Sequence, residues 1–262
     1  MSDWTNIVDD LIDHVNLLKE LGGRNVELDL AVLSALGSTA AAPLPPGPPA
    51  GEAAALSPEE RRKALSEIAA RADLCEACPL RPTRAKSVPG QGKPDSPDVM
   101  FIGETPEEGD DQQGLAFAGA AGAFLTKMIQ AMGYTRDDVF VANICKCRPP
   151  GNRAPLPEEL RTCLPFLREQ IRIVRPKVIV LLGPAAITGL LDAQAGASRR
   201  LGQWTKYDGI PVMPTFHPSY ILRFEAFGDV KGLKAAKTQL WDALKLVLAQ
   251  LGRAVPGAPA KQ

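Results

Sequence analysis

The side chains of this chain whose types and spacing can do chemistry are four cysteines, an asparagine and a histidine. Cys75 and Cys78 form a C-x-x-C-P pair, while Cys147 and Cys163 stand alone further along. Iron–sulfur clusters take four Cys thiolates, and their ligand sets often combine one close pair with distant members. Zinc is the rival, but zinc ribbons prefer two close pairs or His partners, and no His lies near these cysteines in sequence. A dithiol redox pair at Cys75 and Cys78 is a third reading, although that pair follows a helix instead of opening one. Four unrelated buried thiols would leave the C-x-x-C unexplained. Spacing alone favours a cluster over zinc. Cys145 is surplus and is expected in the core.

These residues need elements to position them. Val139, Phe140, Val141 and Ala142 form a short apolar run that reads as a buried strand. Asn143 follows at its C-terminal end, where open α/β sheets place their ligand crevice. Pro149, Pro150 and Gly151 then break regular structure, flanked by Arg148 and Arg153. Pro157, Glu158 and Glu159 read as a helix start, with acids facing the helix dipole. Further strands are expected over residues 99–102, 178–183 and 210–216, and helices over 57–74, 119–132, 163–174 and 230–251. Ser57, Pro58 and Glu60 form a capping-box signature for the first of these helices. Strands alternating with helices predict an α/β fold: three layers, α/β/α, around a short central parallel sheet of about four strands. Gly103, Glu104, Asn143, Gly183 and His217 all fall at strand C-termini and therefore converge on one edge.

The 262 residues are 45% apolar, enough for one domain plus extensions. No apolar run approaches a membrane span, and the N-terminus lacks a signal-peptide layout, so a cytoplasmic protein with no membrane contact is expected. Five cysteines in that compartment argue against a disulfide framework. The formal net charge of zero hides an asymmetry. Residues 1–57 hold 8 acids and 2 bases, a net of −6, which leaves +6 on the remainder. A basic body is compatible with a polyanionic partner. Trp4, Ile7, Val8, Leu11, Ile12, Val15, Leu18 and Leu21 recur at helical spacing until Gly22 and Gly23. This amphipathic helix packs on its own body or on a second copy; the alternative is a docking site for a protein partner. The expected organisation is a helical extension over 1–37, a Pro/Ala-rich linker over 38–57, a body over 58–252 and a flexible tail over 253–262. A monomer is expected.

Three segments carry a family resemblance. They are KCRPPGNRAPLPEE at 146–159 with Cys163, TFHPSYILR at 215–223, and GETPEEGDDQQGLAFAGAAG at 103–122. Together they resemble the family-4 uracil-DNA glycosylases, the iron–sulfur branch of that superfamily, over roughly residues 74–248. The resemblance implies a [4Fe–4S] cluster on Cys75, Cys78, Cys147 and Cys163. It implies a hydrolase that flips uracil out of DNA and cuts its N-glycosidic bond, leaving an abasic site. Asn143 would read the base, since its carbonyl accepts from uracil N3–H while its amide donates to O4. Phe117 would stack on the flipped base, within a pocket that includes Gly103, Glu104 and Thr105. His217 would stabilise charge developing on uracil O2. Glu104 and Asp110 are the carboxylates available to position water. Arg148, Arg153 and Arg223 would contact phosphates, as could Lys146, Arg199 and Arg200. Ser219, Tyr220 and Ile221 follow His217, where Tyr220 and Ile221 could wedge into the base stack.

The chain departs from the family pattern. Thr105 takes a small-residue position, Glu107 replaces a Gly, and Ala120 replaces a basic residue. If that Gly used positive φ, Glu107 would reshape a turn. Loss of the base at 120 would remove a DNA contact. A glycosylase-fold protein that binds DNA with weakened catalysis is therefore one alternative, and an iron–sulfur redox module is another. The loop from Ser198 to Trp204 has no His, so covalent trapping of DNA is not expected.

Overall fold

The computed structural model describes residues 56–191 and 200–256. The amphipathic N-terminal helix, nearly all of the linker and Arg199 lie outside the described residues. The first described helix is α1 (Pro58–Leu74). Ser57 caps it, accepting from the Glu60 amide while Glu60 accepts from the Ser57 amide. This reciprocal capping box satisfies two otherwise orphaned donors.

The strands are β1 (Gln91–Gly92), β2 (Val99–Gly103), β3 (Phe140–Asn143), β4 (Val178–Leu182), β5 (Thr205–Tyr207) and β6 (Ile210–Thr215), in spatial order β1-β3-β2-β4-β6-β5. The middle four are parallel and are the four expected from apolar runs. β1 and β5 add short antiparallel edges that apolar patterning does not reveal. Every residue of β2, β3 and β4 is buried, the pattern of a sheet covered on both faces.

Alternate side chains feed two cores. Phe101, Val141, Val180 and Met213 pack toward α3 (Ala120–Ala131), α6 (Pro218–Phe227) and α7 (Val230–Gln250). Met100, Ile102, Ala142 and Leu181 pack toward α4 (Pro157–Val174) and α5 (Pro184–Leu191), with Leu65 of α1 against them. The result is the expected three-layer α/β/α arrangement. A short helix α2 (Glu108–Gln113) sits in the loop after β2. Among the described residues no helix is long and apolar enough to cross a membrane.

Candidate active site at the strand tips

Parallel register sets Gly103 beside Asn143 at the tips of β2 and β3. Pairing runs on past the tips, with the Ile144 amide donating to the Gly103 carbonyl and the Cys145 amide to the Glu104 carbonyl, each at 3.0 Å. Asn143 is fully buried, yet neither atom of its side-chain amide has a partner. Buried polar groups are nearly always paired, so this amide stands out as open to a partner at the strand tips. The Asn143 backbone carbonyl is held by Lys146, whose Nζ donates to it at 2.7 Å and to Gln170 Oε1 at 2.7 Å.

Gly103 makes room for this amide. A methyl group there would stand 2.5 Å from Phe117 Cζ and would also run into Asn143 Oδ1. Phe117 has φ of +56°, a left-handed conformation uncommon outside glycine. The start of α3 lies against it, and Gly122 is required there because any Cβ would collide with the Phe117 carbonyl.

His217 is the N-cap of α6, and its ring centroid lies 5.6 Å from that of Phe117 at a 34° tilt. Burial, and then the nearby Arg223 charge, lowers its pKa to about 4, so the imidazole is neutral at pH 7. The Ser219 amide donates to His217 Nδ1 at 3.2 Å, and the Ser219 hydroxyl lies 2.7 Å from the same nitrogen. Nδ1 is thus the acceptor, which leaves the ring proton on Nε2 as a donor.

The carboxylates divide. Burial raises the Glu104 pKa, opposed by Arg223. Glu107 is raised by burial and then by Asp110, again opposed by Arg223. Asp110 is buried and committed to backbone: Oδ1 accepts from the Ala118 amide at 2.6 Å and Oδ2 from the Glu107 amide at 3.2 Å. It organises the loop that carries Phe117. Glu107 has φ of −91°, so losing the family glycine there does not strain the turn.

Two of the expected DNA contacts, Ile221 and Lys146, are buried. Ile221 is fully buried in the core, which corrects its assignment as a wedge. Lys146 is also fully buried and is not a phosphate contact. Arg153 is engaged in a two-point ion pair with the buried Glu159, at 2.6 and 2.9 Å, and so clamps the Pro-rich loop onto α4. Arg148 donates to Asn152 Oδ1 at 2.7 Å and reaches Glu108 at 3.7 Å, which ties that loop to α2. Arg223 and Arg200 are exposed. Tyr220 is half-buried, between Phe216 and Phe224.

The four cysteines gather beside this site. Burial pushes Cys147 up to about 11, opposed by Arg84, while Cys163 and Cys78 add to the rise. Cys78 is raised by burial and feels both Cys163 and Cys75. All four sulfurs therefore lie within electrostatic reach in a linked set. Among the described residues, no three His, Cys, Asp or Glu side chains already stand at metal-binding distance. The donor set nonetheless suits an iron–sulfur cluster: four free thiols, with Arg84 Nη1 donating to Cys147 Sγ at 2.9 Å and the Lys146 amide to Cys163 Sγ at 3.2 Å. Cys163 is lowered to about 7, first by its hydrogen bond with Cys145. Cys145 itself is buried, as expected, and held protonated by that bond.

Arg84, Gln91, Lys146 and Asp111 hold this region together, and none was singled out as a positioning group from sequence. Arg84, Gln91 and Asp111 find partners far away along the chain, and Lys146 joins the nearby Asn143 carbonyl to the distant Gln170, so no local motif marks them.

Comparison with known proteins agrees with this geometry. The family model for the uracil DNA glycosylase superfamily matches residues 89–245. A type-4 uracil-DNA glycosylase of Thermotoga maritima is 40% identical over 167 residues, covering 62% of this chain and 85% of that protein. One from Pyrobaculum aerophilum is 38% identical over 57% of this chain and 80% of its own length. One from Sulfurisphaera tokodaii is 39% identical over 60% and 76% respectively. With the family model spanning strand tips, cysteine loop and histidine turn alike, the chain belongs to the uracil-DNA glycosylase superfamily and, within it, to the type-4 branch.

Proposed function

We propose that this protein is a DNA-repair hydrolase that flips uracil out of DNA and hydrolyses its N-glycosidic bond, leaving an abasic site. The observation that carries this reading is the buried, unpartnered Asn143 amide at the sheet edge, facing the Phe117 ring across Gly103. An amide accepts from uracil N3–H and donates to O4; cytosine presents the opposite polarity at both atoms. Phe117 supplies a face for the extruded base. Cleavage places negative charge on uracil O2, and the neutral His217 offers its Nε2–H to that oxygen. Glu104 has no backbone duty comparable to that of Asp110, so it is the carboxylate assigned to orient water. Asp110 serves by fixing the Phe117 loop. Arg223, at the mouth, meets the phosphate backbone, while Ser219 acts through His217.

Cys75, Cys78, Cys147 and Cys163 would hold a [4Fe–4S] cluster, which when bound ties the C-x-x-C segment to the Pro-rich loop and α4. Residues 1–37 lie before every one of these positions in the chain and serve as a separable extension. The test of function is release of free uracil from a uracil-containing oligonucleotide. Binding of that DNA without release would instead identify a catalytically weakened DNA-binding relative, a reading that the alanine at position 120 favours.

A further inference from the structure

Phe117 holds a positive φ, and its conformation is maintained from both sides. On one side Ala116 is gripped by Gln91, whose Nε2 donates to the Ala116 carbonyl at 2.8 Å and whose Oε1 accepts from the Ala116 amide at 3.0 Å. On the other side the Ala118 amide is held by Asp110. The neighbour of Asp110, the buried Asp111, accepts from the Ala85 amide with both oxygens, at 2.9 and 3.0 Å.

Gln91 and Ala85 belong to one short segment, residues 84–91. Its other contacts run to the cysteine region. Arg84 donates to Cys147 Sγ at 2.9 Å and to the Ala72 carbonyl at 2.9 Å, and it also bonds the Asp73 carbonyl. Ser87 bonds Asp73, and the Val88 amide donates to the Lys146 carbonyl at 2.8 Å, between Cys145 and Cys147. The segment is therefore bonded by Arg84 to the proposed cluster ligand Cys147, by Ala85 to the Asp111 that adjoins the Ala118-holding Asp110, and by Gln91 to Ala116 on the other side of Phe117.

We propose that residues 84–91 form a strut through which the cysteine region positions Phe117, with Gln91 as the positioning residue at the pocket end and Arg84 at the cysteine end. The assignment of Phe117 as the base-stacking ring rests on the uracil reading; the mechanical link does not. A non-glycine residue held at positive φ persists only when its surroundings over-determine it, and the Gln91 and Asp110 contacts to Ala116 and Ala118 supply that constraint. Bonded networks can carry coupling of this kind, and the Cys147–Arg84–Ala85–Asp111 and Gln91–Ala116 contacts supply one.

The experiment is amide hydrogen exchange on the full-length, iron-loaded protein, combined with steady-state kinetics, for wild type, Gln91→Ala, Gln91→Glu and Arg84→Gln. In Gln91→Ala the Ala116 amide should exchange faster while iron content stays at the wild-type level. KM for uracil-containing DNA should rise by about tenfold, as for two lost hydrogen bonds, with kcat changed far less. Gln91→Glu keeps the acceptor for the Ala116 amide and should recover part of both effects. In Arg84→Gln the Ala85 and Ala116 amides should lose protection together. Unchanged exchange at Ala116 in Gln91→Ala would overturn the strut. So would loss of protection at Ala85 in Arg84→Gln with Ala116 untouched. Wild-type protein that releases no uracil would defeat the functional reading while leaving the exchange result to judge the strut.

Discussion

Gly103 and Asn143 are register partners on adjacent parallel strands, and a methyl group on Gly103 would fill the space between the Asn143 amide and the Phe117 ring. A methyl group there would push the Asn143 amide or the Phe117 ring out of place. Gly103→Ala should therefore leave the fold and iron content intact but weaken uracil processing by ~10²-fold or more, the scale of an ångström-sized misplacement. Circular dichroism and iron analysis, run beside single-turnover excision, check this. Wild-type excision by the variant would place the base elsewhere.

His217 and Ser219 should separate by magnitude. His217→Ala removes the Nε2–H donor and should slow single-turnover cleavage by ~10²–10³-fold, with DNA binding little changed. Ser219→Ala removes the hydroxyl beside Nδ1 but keeps the backbone donor to it, so a loss of about tenfold is expected. Equal losses in the two variants would show that the hydroxyl, and not only the imidazole, meets the substrate.

The pH profile follows from burial. The Glu104 pKa is raised above its ordinary 4.5, with Arg223 pulling it back down. If Glu104 works as a carboxylate, the rate falls as pH drops through that raised value, above the usual carboxylate range. Arg223→Ala removes the opposing charge and should move this acid limb to higher pH. Glu104→Gln should be slow and should lack the limb, while Glu107→Gln should retain it. His217, at about 4, stays neutral through this range and does not shape the limb. Its depressed value means that protons favour the unfolded chain. Its contribution to stability is thus lost as pH falls from about 6.5 to about 4, which thermal melts across that window would detect.

Iron content separates the cysteines. Cys147→Ser and Cys163→Ser should lose iron together with thermal stability, since ligand binding and folding are coupled. Cys145→Ser should keep a full complement, as it supports Cys163 through a hydrogen bond that a hydroxyl can also make. Stoichiometric zinc without iron in the wild-type protein would replace the cluster assignment.

The central sheet was legible because three of its parallel strands are short apolar runs ending at Gly103, Asn143 and Gly183, and the fourth, Ile210–Thr215, leads into the turn before His217. The edge strands were not: Gln91–Gly92 is two residues long, and Thr205–Tyr207 is polar and partly exposed, so neither carries an apolar signature. Strand ends likewise pointed to Asn143 and His217, because position along a strand fixes which edge a side chain reaches. Burial within the His-Pro-Ser turn is a matter of helical phase, and Ile221 lies on the inward face of α6. Lys146 reads as a phosphate contact by charge alone; only the fold reveals its burial against Gln170 and the Asn143 carbonyl.

The measurement that bears most directly on the account is single-turnover release of free base from uracil- and cytosine-containing oligonucleotides by wild type, Asn143→Ala and Asn143→Asp. Wild type should release uracil and leave cytosine. Asn143→Ala should lose both affinity for the flipped base and rate. Asn143→Asp should be impaired on uracil, because a carboxylate keeps an acceptor for N3–H but offers no donor to O4, and a protonated Asp or an acceptor for cytosine N4–H would allow some cytosine release. Wild-type uracil release by both variants with their folds intact, or DNA binding without release by the wild-type protein, would contradict the account.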